Sequence, residues 1–269
     1  MRLVQPERRI HVEMVMGMAV SIDIRPGDHR TDVVDAAIAE VVAWLHHVDD
    51  TFSTYKELSP ISRIGRGELA VADATDEIRS VLALCEDLHA DTDGAFDILS
   101  VPAPNGTHLD PSGLVKGWSV ERAADLLSGR GFTDFCINAG GDIAVRGSAG
   151  AGEPWRVGIR HPDEPTLSAA VLHVDGPLAI ATSATYERGA HIIDPQTGEP
   201  TAELASVTIV GPDLTYADAY ATAVFVMGLG GLEWLAKHPA YGGFVITHDA
   251  ITYSTPVFDR YRNNGPTVS

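Results

Sequence analysis

Thiols are almost absent from this chain: Cys85 and Cys136 are the only cysteines in 269 residues. Each lies in an apolar run, ALCEDL or DFCINAG, so both read as buried free thiols rather than as a metal or redox pair. Positive charge is thin as well. Against 37 Asp and Glu stand 19 Lys and Arg, a formal net charge of −18. Such a surface repels nucleic acid and anionic lipid, and neither is expected as a partner. No run approaches the ~18 apolar residues that a membrane span needs. The opening stretch MRLVQPERRIHVEMV has charges but no apolar run before Met14. No signal peptide or lipoprotein anchor is expected, and the chain is expected to stay in the cytoplasm. Two nucleotide fingerprints are missing. No G-x-G-x-x-G follows the first strand, which argues against an FAD-using oxidoreductase of the Rossmann kind, and the P-loop spacing G-x-x-x-x-G-K-[ST] is absent.

What is present is 45% hydrophobic and 21% charged, the balance of a globular chain long enough for a large core. Val12 to Ile24 reads as an early strand interrupted by Gly17. Thr31 to Asp49 reads as a helix, with Val34, Ile38, Val41, Leu45 and Val48 at helical spacing. Thr75 to Ala90 is a second helix, and a third is expected from about Gly117 to Ser128, ended by Gly129 and Gly131. Short β-rich runs then dominate: 135–137, 143–146, 155–160, 170–174, 179–182 and 206–210. Further helices follow at about 216–227 and 232–237, then a hairpin of 244–247 and 251–253 turning at 248–250. Helices first and strands later predict an α+β fold.

Five clusters put glycine, carboxylate and hydroxyl groups where a core would not want them. Thr92-Asp93-Gly94-Ala95-Phe96-Asp97 is either a capped helix end or a place where backbone approaches a ligand. Leu109-Asp110-Pro111-Ser112-Gly113-Leu114-Val115-Lys116-Gly117 runs into the third helix, where a glycine loop and a lysine can form an anion site. Asn138-Ala139-Gly140-Gly141-Asp142 is a plain hairpin turn or a point of close ligand approach. Thr182-Ser183-Ala184-Thr185-Tyr186 precedes His191 in HIIDPQTG; a histidine there is structural, or serves as a general base. Asp218 and Thr222 lie four residues apart on one helical face. They form a favourable acid near a helix start or two oxygen ligands for magnesium. An acidic protein that holds a diphosphate needs such a local cation.

In this order, the stretches MGMAVSI, FSTYKELSPISRI, TDGAFDI, LDPSGLVKGWSVERAADLL, INAGGDIAVRG, ATSATYERGAHIIDPQTGEP and SVTIVGPDLTYADAYATAVFVMG resemble the FAD:protein FMN transferase family, also called the ApbE family. The resemblance implies a T-fold-like α+β architecture of two packed lobes with the flavin cleft between them. It implies one domain over residues 1–262, leaving 263–269 as a frayed tail. It further implies Mg2+ held by Asp218, Thr222 and the backbone carbonyl of Gly113. Flavin contacts would fall to Met16, to Ala95, Phe96 and Asp97, and to Thr182. Asp110 and Lys116 would meet the adenosine part or the diphosphate, with His191 as catalytic base. The family usually carries MGT where this chain has Met16-Gly17-Met18, and TSG where it has Thr182-Ser183-Ala184.

The reaction so implied attaches FMN from FAD to a Thr or Ser hydroxyl of an acceptor flavoprotein, with release of AMP. Two other readings use the same residues: an FAD pyrophosphatase giving FMN and AMP, and a non-catalytic FAD-binding protein.

Overall fold

The computed structural model describes residues 8–100, 106–185, 193–195, 197–199, 201 and 203–262. Its centre is an eight-stranded antiparallel sheet. In chain order the strands are β1 (Arg9–Val15), β2 (Met18–Ile24), β3 (Phe135–Ala139), β4 (Asp142–Arg146), β5 (Trp155–Arg160), β6 (Ser168–Val174), β7 (Leu178–Ala184), β8 (Leu204–Gly211), β9 (Gly242–Thr247) and β10 (Thr252–Ser254). The sheet runs β1-β2-β3-β4-β7-β8-β9-β10, and β5 and β6 pair separately as a hairpin. The helices are α1 (Thr31–Phe52), α2 (Pro60–Gly65), α3 (Asp76–Asp91), α4 (Ser112–Gly129), α5 (Leu214–Met227), α6 (Gly230–Leu235) and α7 (Pro256–Arg262). This is the α+β class that the order of elements predicts.

Period-two alternation sorts the side chains onto two faces. Val20, Ile22, Phe135, Ile137, Ala144, Ala179, Val207, Ile209 and Val245 face α1, α4 and α5 and share one core with them. Ile143, Val145, Leu178, Ile180, Val210, Phe244 and Ile246 face the other way, under the β5–β6 hairpin and α7. There Phe244 and Phe258 stack at 5.0 Å. Because both faces are covered, β7 and β8 read as nearly unbroken apolar runs.

Three expectations need correction. The early strand is a hairpin, with β1 and β2 paired from Arg9↔Ile24 to Val15↔Met18. Met16 (φ 52) and Gly17 (φ 72) form its two-residue turn, the left-handed pair of a type I′ connection. Holding a methionine at positive φ costs about 1 kcal/mol or more, so sequence pattern alone did not point to a turn there. The third helix starts at Ser112 rather than near Gly117, which places Gly113 and Lys116 inside it. Asp110 Oδ1 accepts the Ser112 N–H at 3.0 Å and closes its first turn. Gly113 and Gly117 interrupt the apolar periodicity, and packing against α5 compensates. The short helices α2 and α7 were not anticipated. Each opens on a proline, Pro60 or Pro256, and α2 is capped by Ser59 Oγ, which accepts the Ser62 N–H at 3.2 Å. Both thiols are free, but only Cys85 is buried as expected. Cys85 is buried and Cys136 half-buried, and burial pushes both up to about 12.

Candidate functional site

The site is built where α4 crosses α5. Gly113 and Gly117 lie one helical turn apart on α4 and face Leu214, Asp218 and Thr222, which repeat at the same interval on α5. A side chain at Gly117 would come within 2.5 Å of the Leu214 carbonyl oxygen and 2.6 Å of Asp218 Cβ. Glycine is therefore required there for the helices to approach. A Cβ on Gly113 would sit 3.7 Å from Thr222 Oγ1 and 3.4 Å from the Phe96 ring, so the first turn of α4, Thr222 and Phe96 form one wall.

That close approach buries charge. Asp218 Oδ2 accepts the Gly117 N–H at 2.8 Å. Lys116 Nζ lies 2.9 Å from Asp142 Oδ2 and 3.9 Å from Asp218 Oδ1, with Asp142 fully buried and Asp218 nearly so. Asp142 Oδ1 also accepts the Thr182 N–H at 3.3 Å. Its Oδ2 is sealed from solvent and meets Lys116 as an ion pair, off the alignment of a hydrogen bond. Burial raises Asp218 well above the ordinary carboxylate range; the Asp142 charge pushes the same way, and Lys116 and the Gly117 N–H oppose it. Two carboxylates thus share one ammonium inside the protein.

Where two carboxylates crowd one cation, a further positive charge is favoured. Among the described residues no cluster of three or more His, Cys, Asp or Glu is placed to hold a metal. Among the described residues, then, no fully protein-ligated ion site is formed. Carboxylate, hydroxyl and carbonyl oxygen do suit magnesium, which keeps several waters and takes one or two carboxylates plus substrate phosphate.

The surrounding elements hold this geometry from outside. Asp213 Oδ1 caps α5 by accepting the Thr215 N–H at 2.7 Å. Glu121 Oε2 reaches across from α4 to accept the Leu214 N–H at 2.9 Å, while its other oxygen pairs with Arg146 of β4. Burial raises Glu121, opposed by the Leu214 N–H and by Arg146. At the rim, the Gly140–Gly141 turn (φ 59 and 103) carries the chain from β3 into Asp142. The Met18 sulfur lies 3.1 Å from where a Gly140 side chain would begin. Met16 Sδ lies 3.9 Å from Ser119 Oγ on α4, so the β1–β2 and β3–β4 turns flank the same stretch of α4.

Of the residues implied by resemblance, Gly113, Lys116, Asp218 and Thr222 come together at the helix crossing. Ala95, Phe96 and Asp97 lie alongside, tied in where the Asp110 N–H donates to the Ile98 carbonyl at 2.8 Å. Asp97 and Asp110 each also close a local turn, accepting the N–H of Leu99 at 2.8 Å and of Ser112 at 3.0 Å. Thr182 Oγ1 points to the opposite face of the sheet, 3.0 Å from Thr208 Oγ1; its backbone N–H is what meets Asp142. His191 lies outside the described residues. Asp194, of the same H-x-x-D-P stretch, lines a cleft of about 570 Å³ with Thr92, Asp93, Ala95, Trp234 and Lys237. That cleft also reaches Met227, about 13 Å along α5 from Asp218, so the charge cluster and the cleft by the TDGAFD loop lie at different points along one helix.

Sequence reasoning missed two residues. Asp142 was noted as part of a glycine turn but not as a site carboxylate; its signal was a charge opening the apolar run DIAVR. Glu121 gave a similar signal, a carboxylate on the apolar face of α4 beside Val120 and Ala124.

An antiparallel sheet of this order, with α1, α4 and α5 on one face, has the fold of solved flavin transferase structures. The solved structure described as flavin transferase ApbE from Vibrio cholerae superposes at a TM-score of 0.81 and 24% identity, covering 95% of this chain and 99% of that one. The ApbE family profile matches residues 16–105 and 100–244, and this chain belongs to the ApbE family. Curated relatives that carry the name FAD:protein FMN transferase include one from Escherichia coli and one from Treponema pallidum. The one from Escherichia coli (strain K12) is 30% identical over 166 residues, 58% of this chain and 47% of its own length. The one from Treponema pallidum (strain Nichols) is 30% identical over 225 residues, 74% of this chain and 61% of its own. The aligned region thus spans roughly half to three-fifths of these relatives. No helix among the described residues is long and apolar enough to cross a membrane.

Proposed function

We propose that this chain is a magnesium-dependent transferase that moves FMN from FAD to a Thr or Ser hydroxyl of an acceptor flavoprotein and releases AMP. The observation that carries the reading is the buried pair Asp142 and Asp218 sharing the single ammonium of Lys116, in a member of the ApbE family. A chain of net charge −18 repels a dinucleotide diphosphate on the whole, so binding one calls for a local cation.

Asp218, Thr222 and the Gly113 carbonyl would hold magnesium, which neutralises negative charge on the diphosphate. The remaining work belongs to the protein's own groups. Lys116, paired with Asp142 at 2.9 Å, offers its ammonium to a phosphate oxygen as well. The Met16 turn and the Ala95–Asp97 loop position the flavin half. His191 takes the proton from the incoming hydroxyl. The hydroxyl oxygen forms a bond to the FMN phosphorus as the bond from that phosphorus to the AMP oxygen breaks, and AMP leaves with the electron pair. Such phosphoryl transfers depend chiefly on positioning and on charge neutralisation. The acceptor is a protein chain.

The test is to incubate the protein with FAD, magnesium and a candidate acceptor, and then read flavin fluorescence of the denatured acceptor band. The expected result is a fluorescent band that requires magnesium and disappears in His191→Ala, with FAD binding retained. Free FMN and AMP formed at one rate with and without acceptor, and no labelled band, would establish hydrolysis instead. FAD held intact under all conditions would reduce the protein to a binder.

A further inference from the structure

The two edges of the central sheet are finished very differently. β10, at one edge, is only three residues long and leads straight into α7, the usual way of blunting an edge. β1, at the other, runs seven residues and, among the described residues, pairs only with β2. It has no proline, no lysine and no bulge. It also exposes an apolar stripe, with Ile10 at 47%, Val12 at 56% and Met14 at 68%. A long edge strand of this kind normally has a cover.

The register of the hairpin says which groups are free. Because the Met16–Gly17 turn has two residues, Val15 and Met18 exchange both of their backbone hydrogen bonds, and so does every second pair back to Arg9 and Ile24. The N–H and C=O groups of Ile10, Val12 and Met14 therefore point away from β2, where no strand among the described residues meets them. The residues that present the apolar stripe are those that present the open backbone.

We propose that β1 pairs antiparallel with β1 of a second copy of this chain, about a two-fold axis through Val12, so that the two sheets become one. In that register Val12 meets Val12, and Ile10 meets Met14 of the partner. The outward N–H and C=O groups of these residues satisfy one another, and the stripe continues unbroken across the axis. On the helix-facing side, His11 falls opposite the partner's Glu13. Within one chain the Glu13 carboxylate already lies 3.2 Å from His11 and 2.8 Å from His46, so the crossing sets an imidazole, not a second carboxylate, directly opposite Glu13. A register displaced by two residues loses the Val12 pairing and leaves an apolar residue overhanging at each end. The pattern is self-complementary only about Val12, as a two-fold interface requires.

The partner copy carries the same net charge of −18, so long-range repulsion opposes association and salt relieves it. Sedimentation of the full chain tests the proposal. The 28.6 kDa species is expected to give way to a dimer as concentration rises through the micromolar range, at lower concentration in higher salt. Val12→Lys sets two like charges on the axis at an exposed position, and should weaken the dimer at least about tenfold while leaving the circular dichroism spectrum unchanged. Val12→Cys should yield a disulfide-linked dimer on mild oxidation, since residues paired on the axis lie ~5.5 Å apart; the unsubstituted chain should not. A monomer at every concentration overturns the proposal, including one whose Ile10, Val12 and Met14 amides are protected from exchange by a cover within the chain. A dimer that survives Val12→Lys unchanged overturns it too.

Discussion

The two faces of the central sheet are packed to opposite specifications. Under the β5–β6 hairpin and α7 the interior consists of Trp155, Val157, Ile159, Leu172, Val174 and Phe258 against Ile143, Leu178, Ile180 and Phe244, an apolar layer closed by shape. Under α4 and α5 the core is just as tightly buried, yet Lys116, Asp142, Asp218, Glu121 and Arg146 are set into it. Burying charge is costly unless each group finds a partner, and here the pairing is incomplete, with two carboxylates at one ammonium. One face contributes stability. The other gives up stability, which the proposed function explains as the cost of a site for a cation and a phosphate.

The sharpest way to break that contrast is to remove the surplus charge without removing shape. Asp218→Asn keeps an acceptor for the Gly117 N–H. Transfer activity should fall at least about a hundredfold, the scale of losing a charge-stabilising ligand. The metal-free thermal midpoint should hold or rise, because the repulsion from Asp142 is gone. Magnesium-dependent turnover that persists in this variant would sink the metal assignment.

Leu172→Ala makes the opposite incision. Leu172 is fully buried in the apolar face, and its truncation should cost about 2–5 kcal/mol, read as a shift in the denaturant midpoint. The specific activity of the folded fraction should stay as it was. A selective loss of activity would mean that the two faces are not independent.

Gly117→Ala tests the joint between fold and site. Alanine gains roughly 1 kcal/mol of helix propensity over glycine. The backbone contact at 2.5 Å from Leu214 outweighs it, since overpacking costs about 1–3 kcal/mol. As α4 and α5 are pushed apart, magnesium-assisted FAD binding should weaken along with stability. Titration calorimetry with wild-type affinity would rule out the close crossing as a requirement of the site.

The smallest effect is one of pH. Burial raises Glu121, so the folded state favours its protonated form. The resulting stability is complete below the ordinary glutamate value of about 4.3 and is lost as pH rises through the higher folded value. Glu121→Gln should remove that portion of the pH dependence while keeping an acceptor for the Leu214 N–H. Superimposable stability–pH curves for the two proteins would show that Arg146 and the N–H fully offset the burial.

Much of the fold was legible because its signals are local. α1 and α3 follow from apolar residues at helical spacing, and β5 from a short β-rich run between turns. What failed is equally instructive. The β1–β2 turn was hidden because Met16 accepts a left-handed backbone that sequence statistics reserve for glycine or asparagine. The start of α4 was hidden because Gly113 and Gly117 look like helix breakers until α5 is laid against them. Asp218 and Thr222 could be paired from their spacing on one helix. Asp142 could not be joined to them, because the contact crosses from a strand to two helices far away in the chain.

The sequence by itself determined the acid surplus, the hydroxyl–carboxylate stripe on α5, the glycine stripe on α4 and the family to which these belong. Each follows from residue identity at a fixed local interval. Only the tertiary structure decided that the glycine stripe admits the acidic one. It also decided that Lys116 stands between two carboxylates and that Glu121 fixes the start of α5. Those outcomes depend on how closely two helices approach over a sheet, a distance set by the packing of the whole core.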